Sequence, residues 1–204
     1  MKYQEALSRL KEGNQRFVAG VRSVDAIIKQ INRSNFVNCQ DPFAIILGCS
    51  DSRVPAELVF DQGLGDLFVI RVAGNIVAPS QIGSVEFAVE KFATPLVVVL
   101  GHSQCGAVMA TIAASDKNAE KKSDNVMSIV KRIMPTVDPL MHTDLKNYPD
   151  QLLAAAIRAN VMSAVNHLRH GSQLIENLVQ QGKLQIIGAE YSLETGIVEF
   201  FDGV

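Results

Sequence analysis

The sequence predicts an α/β fold: a mostly parallel central β-sheet, with four parallel strands plus a C-terminal antiparallel edge strand, flanked by helices and led by an N-terminal helical arm. Three observations carry this. Four near-continuous apolar runs, FAIILG (43–48), LFVIRV (67–72), LVVVLG (96–101) and LQIIGA (184–189), have the composition of strands covered on both faces. Helical stretches separate these runs, and strands alternating with helices build a parallel sheet. A last short run, GIVEFF (196–201), follows a Glu-Thr-Gly turn and reads as an antiparallel return at the edge.

Taken in order, residues 3–19 form an amphipathic helix, with Leu7, Leu10, Phe17 and Val18 roughly on one side. This helix opens a helical arm over 1–35. Helical patterns then cover about 80–92, 104–114, 124–134, 149–169 and 171–181. The stretch SDKNAEKKSD (115–124) is polar and charged, hence an exposed connection. Residues 135–149 carry Pro135, Pro139 and Pro149 and read the same way. Neither connection is long enough to divide the chain, so 1–204 is expected to be a single domain.

Composition narrows the function. The chain of 204 residues is 48% hydrophobic and 20% charged, with a formal charge of -2. That is enough apolar content for a sizeable core. No basic stripe points to nucleic acid, and no acidic block points to a disordered tail. Runs such as Leu96 to Leu100 are far too short to cross a bilayer. The opening MKYQEALSRLKEGNQRF lacks the unbroken apolar core of a signal peptide. A cytoplasmic location is expected, or a periplasmic or organellar one if a leader has been removed. Three cysteines cannot all pair with one another, which favours metal or catalytic use of some of them.

The chemistry concentrates at two predicted strand ends. LGCSDSRVPAEL (47–58) puts Cys49, Asp51 and Arg53 at alternate positions just past one buried strand, and VVVLGHSQCGAV (97–108) puts His102 and Cys105 just past another. Ligands in open parallel sheets gather at the carboxyl ends of strands. Two thiolates and one imidazole suit Zn2+, and three protein ligands leave a fourth position for water, the mark of a catalytic site. A structural zinc would want a fourth Cys or His. The only spare thiol, Cys39, precedes its strand by several residues and is expected at the opposite end. Two thiolates neutralise the ion, so water bound there needs help to lose its proton. Asp51 is placed to accept that hydrogen bond, while a bidentate Arg53 keeps the carboxylate ionised and off the metal. A lone buried Cys is most often a small hydrophobe, and His-x-x-Cys arises by chance. Both together at strand ends, with an Asp-Arg pair attached, are much harder to assign to chance.

CSDSRVP, RVAGN and GHSQCGAV, in this order and separation, resemble the β-class carbonic anhydrases from about Gln40 to the C-terminus. The resemblance implies reversible hydration of CO2 to bicarbonate and a proton, using hydroxide generated at zinc. It implies Cys49, His102 and Cys105 as zinc ligands and Asp51 with Arg53 as the catalytic dyad, with Asp51 on the metal only in a closed state. Gln40 matches a glutamine that hydrogen-bonds substrate from the partner subunit. Phe68 and Phe87 match residues lining the CO2 pocket, and Gly106 matches a glycine whose N–H meets a substrate oxygen. A homodimer or dimer of dimers is implied, with the N-terminal helix laid across the neighbour. Some bacterial members switch off by binding bicarbonate at a Trp, an Arg and a Tyr. Arg71 and Tyr191 occupy two of those places, but the tryptophan place is Ile46 and the chain has no Trp. An always-open site is therefore expected.

The remaining histidines are read conservatively. His167 and His170 sit three apart on a helix without a carboxylate at helical spacing, and His142 reads as exposed. Two rival functions remain. One is hydrolysis of carbonyl sulfide or carbon disulfide on the same metal site. The other is a non-catalytic zinc-binding scaffold.

Overall fold

A computed structural model describes residues 1–32, 34, 37, 39–115 and 122–203. The central part of the predicted exposed connection, 116–121, and residues 33 and 35 of the predicted arm lie outside the described residues.

Helix α1 (Tyr3–Val18) buries Ala6, Leu7, Leu10, Gly13 and Asn14 at intervals of three and four, so it packs on this chain's own core. Phe17 joins the same cluster, whereas Val18 is exposed. A Cβ on Gly13 would lie 1.8 Å from the Phe60 carbonyl oxygen, so only glycine permits this approach. Asn14 makes the seam specific. Its amide donates to the carbonyls of Val59 (3.1 Å) and Gly196 (2.8 Å), and its oxygen accepts from the Val198 N–H (2.9 Å). Helix α2 (Val24–Ile31), capped by the Ser23 hydroxyl, lies within the helical arm expected over 1–35, although the sequence pattern does not single it out. Its apolar residues Val24, Ile27, Ile28 and Ile31 face outward instead of joining the core.

Strand β1 (Ala44–Gly48) is buried throughout. A short helix α3 (Ala56–Val59) and strand β2 (Leu67–Arg71) follow, then a tight turn over Ala73–Asn75. Helix α4 (Pro79–Phe92) leads to strand β3 (Leu96–His102), again wholly buried. Helix α5 (Gly106–Ala114) begins two residues later than the sequence pattern suggested, because Gln104 sits at φ 56°, outside the right-handed helical region, and Cys105 caps the helix.

Helix α6 (Asp124–Met141) corrects the expected connection over 135–149. It runs through Pro135 and Pro139, each of which removes an amide donor. Ile133 and Val137, both fully buried, hold the helix to the core across them. Only a short turn separates it from α7 (Pro149–His170), where Pro149 takes the first helical position that tolerates it. Helix α8 (Gln173–Gln180), strand β4 (Gln185–Tyr191) and strand β5 (Val198–Asp202) complete the chain.

The sheet order is β2-β1-β3-β4-β5, parallel except for β5, which runs antiparallel to β4 as expected. Alternation along the strands serves two cores. Ala44, Ile46, Val98, Leu100 and Ala189 face α1, while Ile45, Leu47, Val97 and Val99 face α4, α7 and α8. From β1 the chain moves outward to β2, then returns to β3 and proceeds the other way to β4. The carboxyl ends of β1 and β3 are therefore a topological switch point, where a crevice opens between diverging connections. No helix among the described residues is long and apolar enough to cross a membrane.

The α1–α2 corner is fixed by a buried carboxylate. Asp61, fully buried at its side chain, accepts from Arg16 Nε (2.6 Å), Arg22 Nε (2.9 Å) and the Ser23 N–H (2.9 Å). Burial alone would raise its pKa, but these donors outweigh it and hold the carboxyl below its ordinary value. The unfolded reference is about 3.9. A depressed folded pKa gives stability that is complete above that reference and lost as pH falls through the folded value. Asp61→Asn is expected to cost about 2–4 kcal/mol at pH 7 and to flatten the loss of stability below about pH 4. Urea unfolding at several pH values checks this. An acid limb identical to that of the wild type would refute it.

Candidate metal centre

Three ligand-type side chains converge at the switch point. Cys49 follows directly on β1, His102 ends β3, and Cys105 caps α5. All three are buried, and their ligand atoms lie within 4.8 Å of one another. At ordinary metal–sulfur and metal–nitrogen lengths of about 2.0–2.3 Å, one ion can be shared among them. They are the only such group among the described residues.

The hydrogen bonds around these atoms say which electron pairs are left. His102 Nδ1 lies 2.9 Å from the Ser103 carbonyl oxygen. A carbonyl only accepts, so Nδ1 carries the hydrogen and Nε2 keeps its lone pair. That Nε2 is fully buried and has no hydrogen-bond partner among the described residues, a costly arrangement unless an ion takes the lone pair. Cys49 Sγ accepts from the Gly74 N–H at 3.3 Å. Donation from the Cys105 thiol pushes Cys49 down, helped by His102 and Gly74, and the same bond together with burial pushes Cys105 up. Burial opposes charge on His102, but the neighbouring Cys49 sulfur outweighs it and raises the imidazole's pKa. Two buried sulfurs beside an imidazole Nε2 that keeps its lone pair are a donor set that fits a divalent ion.

The carboxylate beside the sulfurs is clamped as expected. Arg53 donates Nε to Asp51 Oδ1 (2.9 Å) and Nη2 to Oδ2 (2.8 Å), and its backbone N–H adds a third bond to Oδ1 (3.0 Å). The Arg53 guanidinium holds the Asp51 carboxyl well below the usual carboxylate range. The Asp51 side chain is 17% exposed and the Arg53 side chain 55%, which places the pair at the mouth of the crevice.

Arg71 has a role that sequence reading missed. The last residue of β2, it donates Nε to the Cys49 carbonyl (3.1 Å) and Nη2 to the Asp51 carbonyl (2.6 Å). It thus grips the backbone on both sides of Ser50. The signal available was its register: Arg71 lies opposite Gly48, one residue before Cys49. Ile46, at the tryptophan place, is a fully buried core residue. Tyr191 is buried opposite His102 on β4.

Of the substrate-binding candidates, Gly106 is at the site, as the first residue of α5, where helical bonding leaves its N–H without an internal partner. The others are not brought to Cys49 within one chain. Gln40 and Cys39 line a cavity of about 310 Å³ with Phe43, Thr94 and Pro95, at the amino ends of β1 and β3. Cys39 is therefore at the opposite end, as expected. Phe68 lies opposite Ile45, partway along β2, and packs with Phe87 and Phe92 at ring-centroid distances of 6.1–6.3 Å. Phe87 is 54% exposed. His142, His167 and His170 are all on the surface.

A parallel sheet whose switch point gathers two sulfurs and an imidazole beside a clamped carboxylate defines an α/β protein with a buried side-chain group that could hold a metal ion. The comparisons with known proteins agree on which kind. Residues 44–198 match the family described as "Carbonic anhydrase". Carbonic anhydrase 2 of Mycobacterium tuberculosis is 40% identical over 196 residues, covering 94% of this chain and 89% of that protein. A carbonic anhydrase of Mycolicibacterium smegmatis is 40% identical over 196 residues, covering 95% and 91%. The β-carbonic anhydrase CcaA superposes with a TM-score of 0.71 at 26% identity, covering 97% of this chain and 92% of its own. A tetrameric β-carbonic anhydrase of Sordaria macrospora shares the fold with a TM-score of 0.75 at 22% identity, covering 98% and 96%. The chain belongs to the carbonic anhydrase family, in its β class.

Proposed function

We propose that this chain is a zinc enzyme that hydrates CO2 reversibly to bicarbonate and a proton, with Cys49, His102 and Cys105 holding the ion. The observation that carries the reading is the buried, partnerless Nε2 of His102 beside two sulfurs. Zinc fits the nitrogen-and-sulfur donor set and, when bound, supplies the Lewis acidity that makes hydroxide available near neutral pH. Asp51 accepts a hydrogen bond from the attacking water and orients it. Arg53 keeps Asp51 ionised and turned away from the ligand position. As negative charge grows on the substrate oxygens, the Gly106 N–H donates to one of them.

Gln40, Phe68 and Phe87 reach such a site only from a second copy, so the working form is a homodimer or a dimer of dimers. In it, Gln40 of the partner donates to substrate and the phenylalanines line a weak, apolar CO2 pocket. The outward apolar face of α2 supports this assembly. The site stays open, because Asp51 has three bonds to Arg53, Arg71 is engaged with backbone carbonyls, and no tryptophan stands beside them. The expected compartment is the cytoplasm.

Stopped-flow CO2 hydration beside a sulfide-release assay with carbonyl sulfide and carbon disulfide tests the substrate. Fast hydration abolished by a chelator and restored by Zn2+ is the expected result. Sulfide release without hydration would move the assignment to the linear sulfur analogues. Neither activity in metal-loaded protein would favour a scaffold.

A further inference from the structure

Cys49 is held by more than its place after β1. Its sulfur accepts the N–H of Gly74, and the Gly74 peptide is itself constrained on several sides. Gly74 sits at φ 69°, a left-handed conformation open to glycine. A Cβ there would lie 2.7 Å from Ile133 Cδ1 on α6 and 3.0 Å from Ala107 Cβ on α5. Gly74 is therefore pressed between two helices and has no side chain of its own to lock it. The lock comes from a third helix. Asn160, buried on α7, donates Nδ2 to the Gly74 carbonyl at 2.8 Å, across 86 residues of sequence.

We infer that Asn160 is a positioning residue for the metal centre: by anchoring the Gly74 carbonyl it aims the Gly74 N–H at Cys49 Sγ. The inference rests on the metal reading above. An N–H donor lowers the energy of sulfur lone pairs and steadies the ligand's direction. Partners that orient metal ligands in this way commonly govern affinity by about 10–100-fold. Removing the amide frees the turn to rotate, and the sulfur loses its donor without any ligand being changed.

The test uses the full-length protein loaded with Co2+ for spectroscopy and with Zn2+ for release to a chelator. Asn160→Leu removes the donor at similar size, and Asn160→Ser is the milder version should the first fail to fold. Ile157→Val, one turn away on α7 in the buried cluster that includes Cys49 and Cys105, controls for a general loss of packing. The Asn160 variants are expected to move the thiolate-to-cobalt charge-transfer band to longer wavelength and to release Zn2+ about tenfold faster. Ile157→Val should lower thermal stability while changing neither readout. A wild-type band and release rate in whichever Asn160 variant folds would overturn the inference and leave the metal reading intact. A wild-type protein with no thiolate-to-cobalt band would overturn the metal reading itself, and this inference with it.

Discussion

Asp51→Ala is expected to lower CO2 hydration at least about a hundredfold while leaving the fold and the zinc content in place. Positioned proton acceptors contribute about 10²–10⁴-fold, and a hundredfold is about 2.7 kcal/mol of transition-state stabilisation. Stability should scarcely change. The Asp51–Arg53 pair lies at the crevice mouth with Arg53 more than half exposed, and pairs of that kind are worth about 0–1 kcal/mol. Asp51 is not among the three converging ligand side chains, so the ion keeps its holders. The separation of effects is the informative part. A scaffold has no use for a carboxylate clamped by three hydrogen bonds at its open corner. Full turnover in Asp51→Ala, measured by stopped flow with metal content checked alongside, would support the scaffold and defeat the dyad.

Cys105→Ala is expected to do the reverse, abolishing stoichiometric zinc and activity together. Cys105 is almost wholly buried and caps α5 through its backbone, so alanine fits the same space and the fold survives without metal. What disappears is the second sulfur. A ligand that binds only the folded state stabilises it by RT ln(1 + [L]/Kd), about 2.7 kcal/mol at a hundredfold excess over Kd. Wild-type protein should therefore gain thermal stability when Zn2+ is added to the metal-free form, and Cys105→Ala should gain little. An equal zinc-induced shift in the two proteins, followed by differential scanning fluorimetry, would remove Cys105 from the ligand set.

The site was legible because its chemistry sits where strands end. Cys49 and His102 each close an unbroken apolar run, and a parallel sheet brings such ends together, so position along the chain translated into position in space. Cys105 and the Asp51–Arg53 pair lie within a few residues of those ends and inherited the same placement. The strands were legible because β1 and β3 are buried on both faces.

What escaped depends on contacts between distant residues. Arg71 and Asn160 act on backbone carbonyls of Asp51, Cys49 and Gly74, and no local pattern announces a side chain that serves another segment's backbone. Asn14, which joins α1 to the turn before β5, is the same kind of case. Helix α6 was cut short at Pro135 because a proline ordinarily ends a helix, and the burial of Ile133 and Val137 overrode that preference. Helix α2 carried a periodic apolar pattern, but its face points away from the chain's own core.

The central claim is one zinc ion per chain held by Cys49, His102 and Cys105, with a corner left for water. Zinc K-edge X-ray absorption on purified, quantified protein at neutral pH tests it most directly. The account predicts one equivalent of zinc with two sulfurs, one imidazole nitrogen and one further light atom that bicarbonate or an added anion displaces. Absence of stoichiometric zinc, or a shell in which the Asp51 carboxylate holds that corner and no anion displaces it, would contradict it.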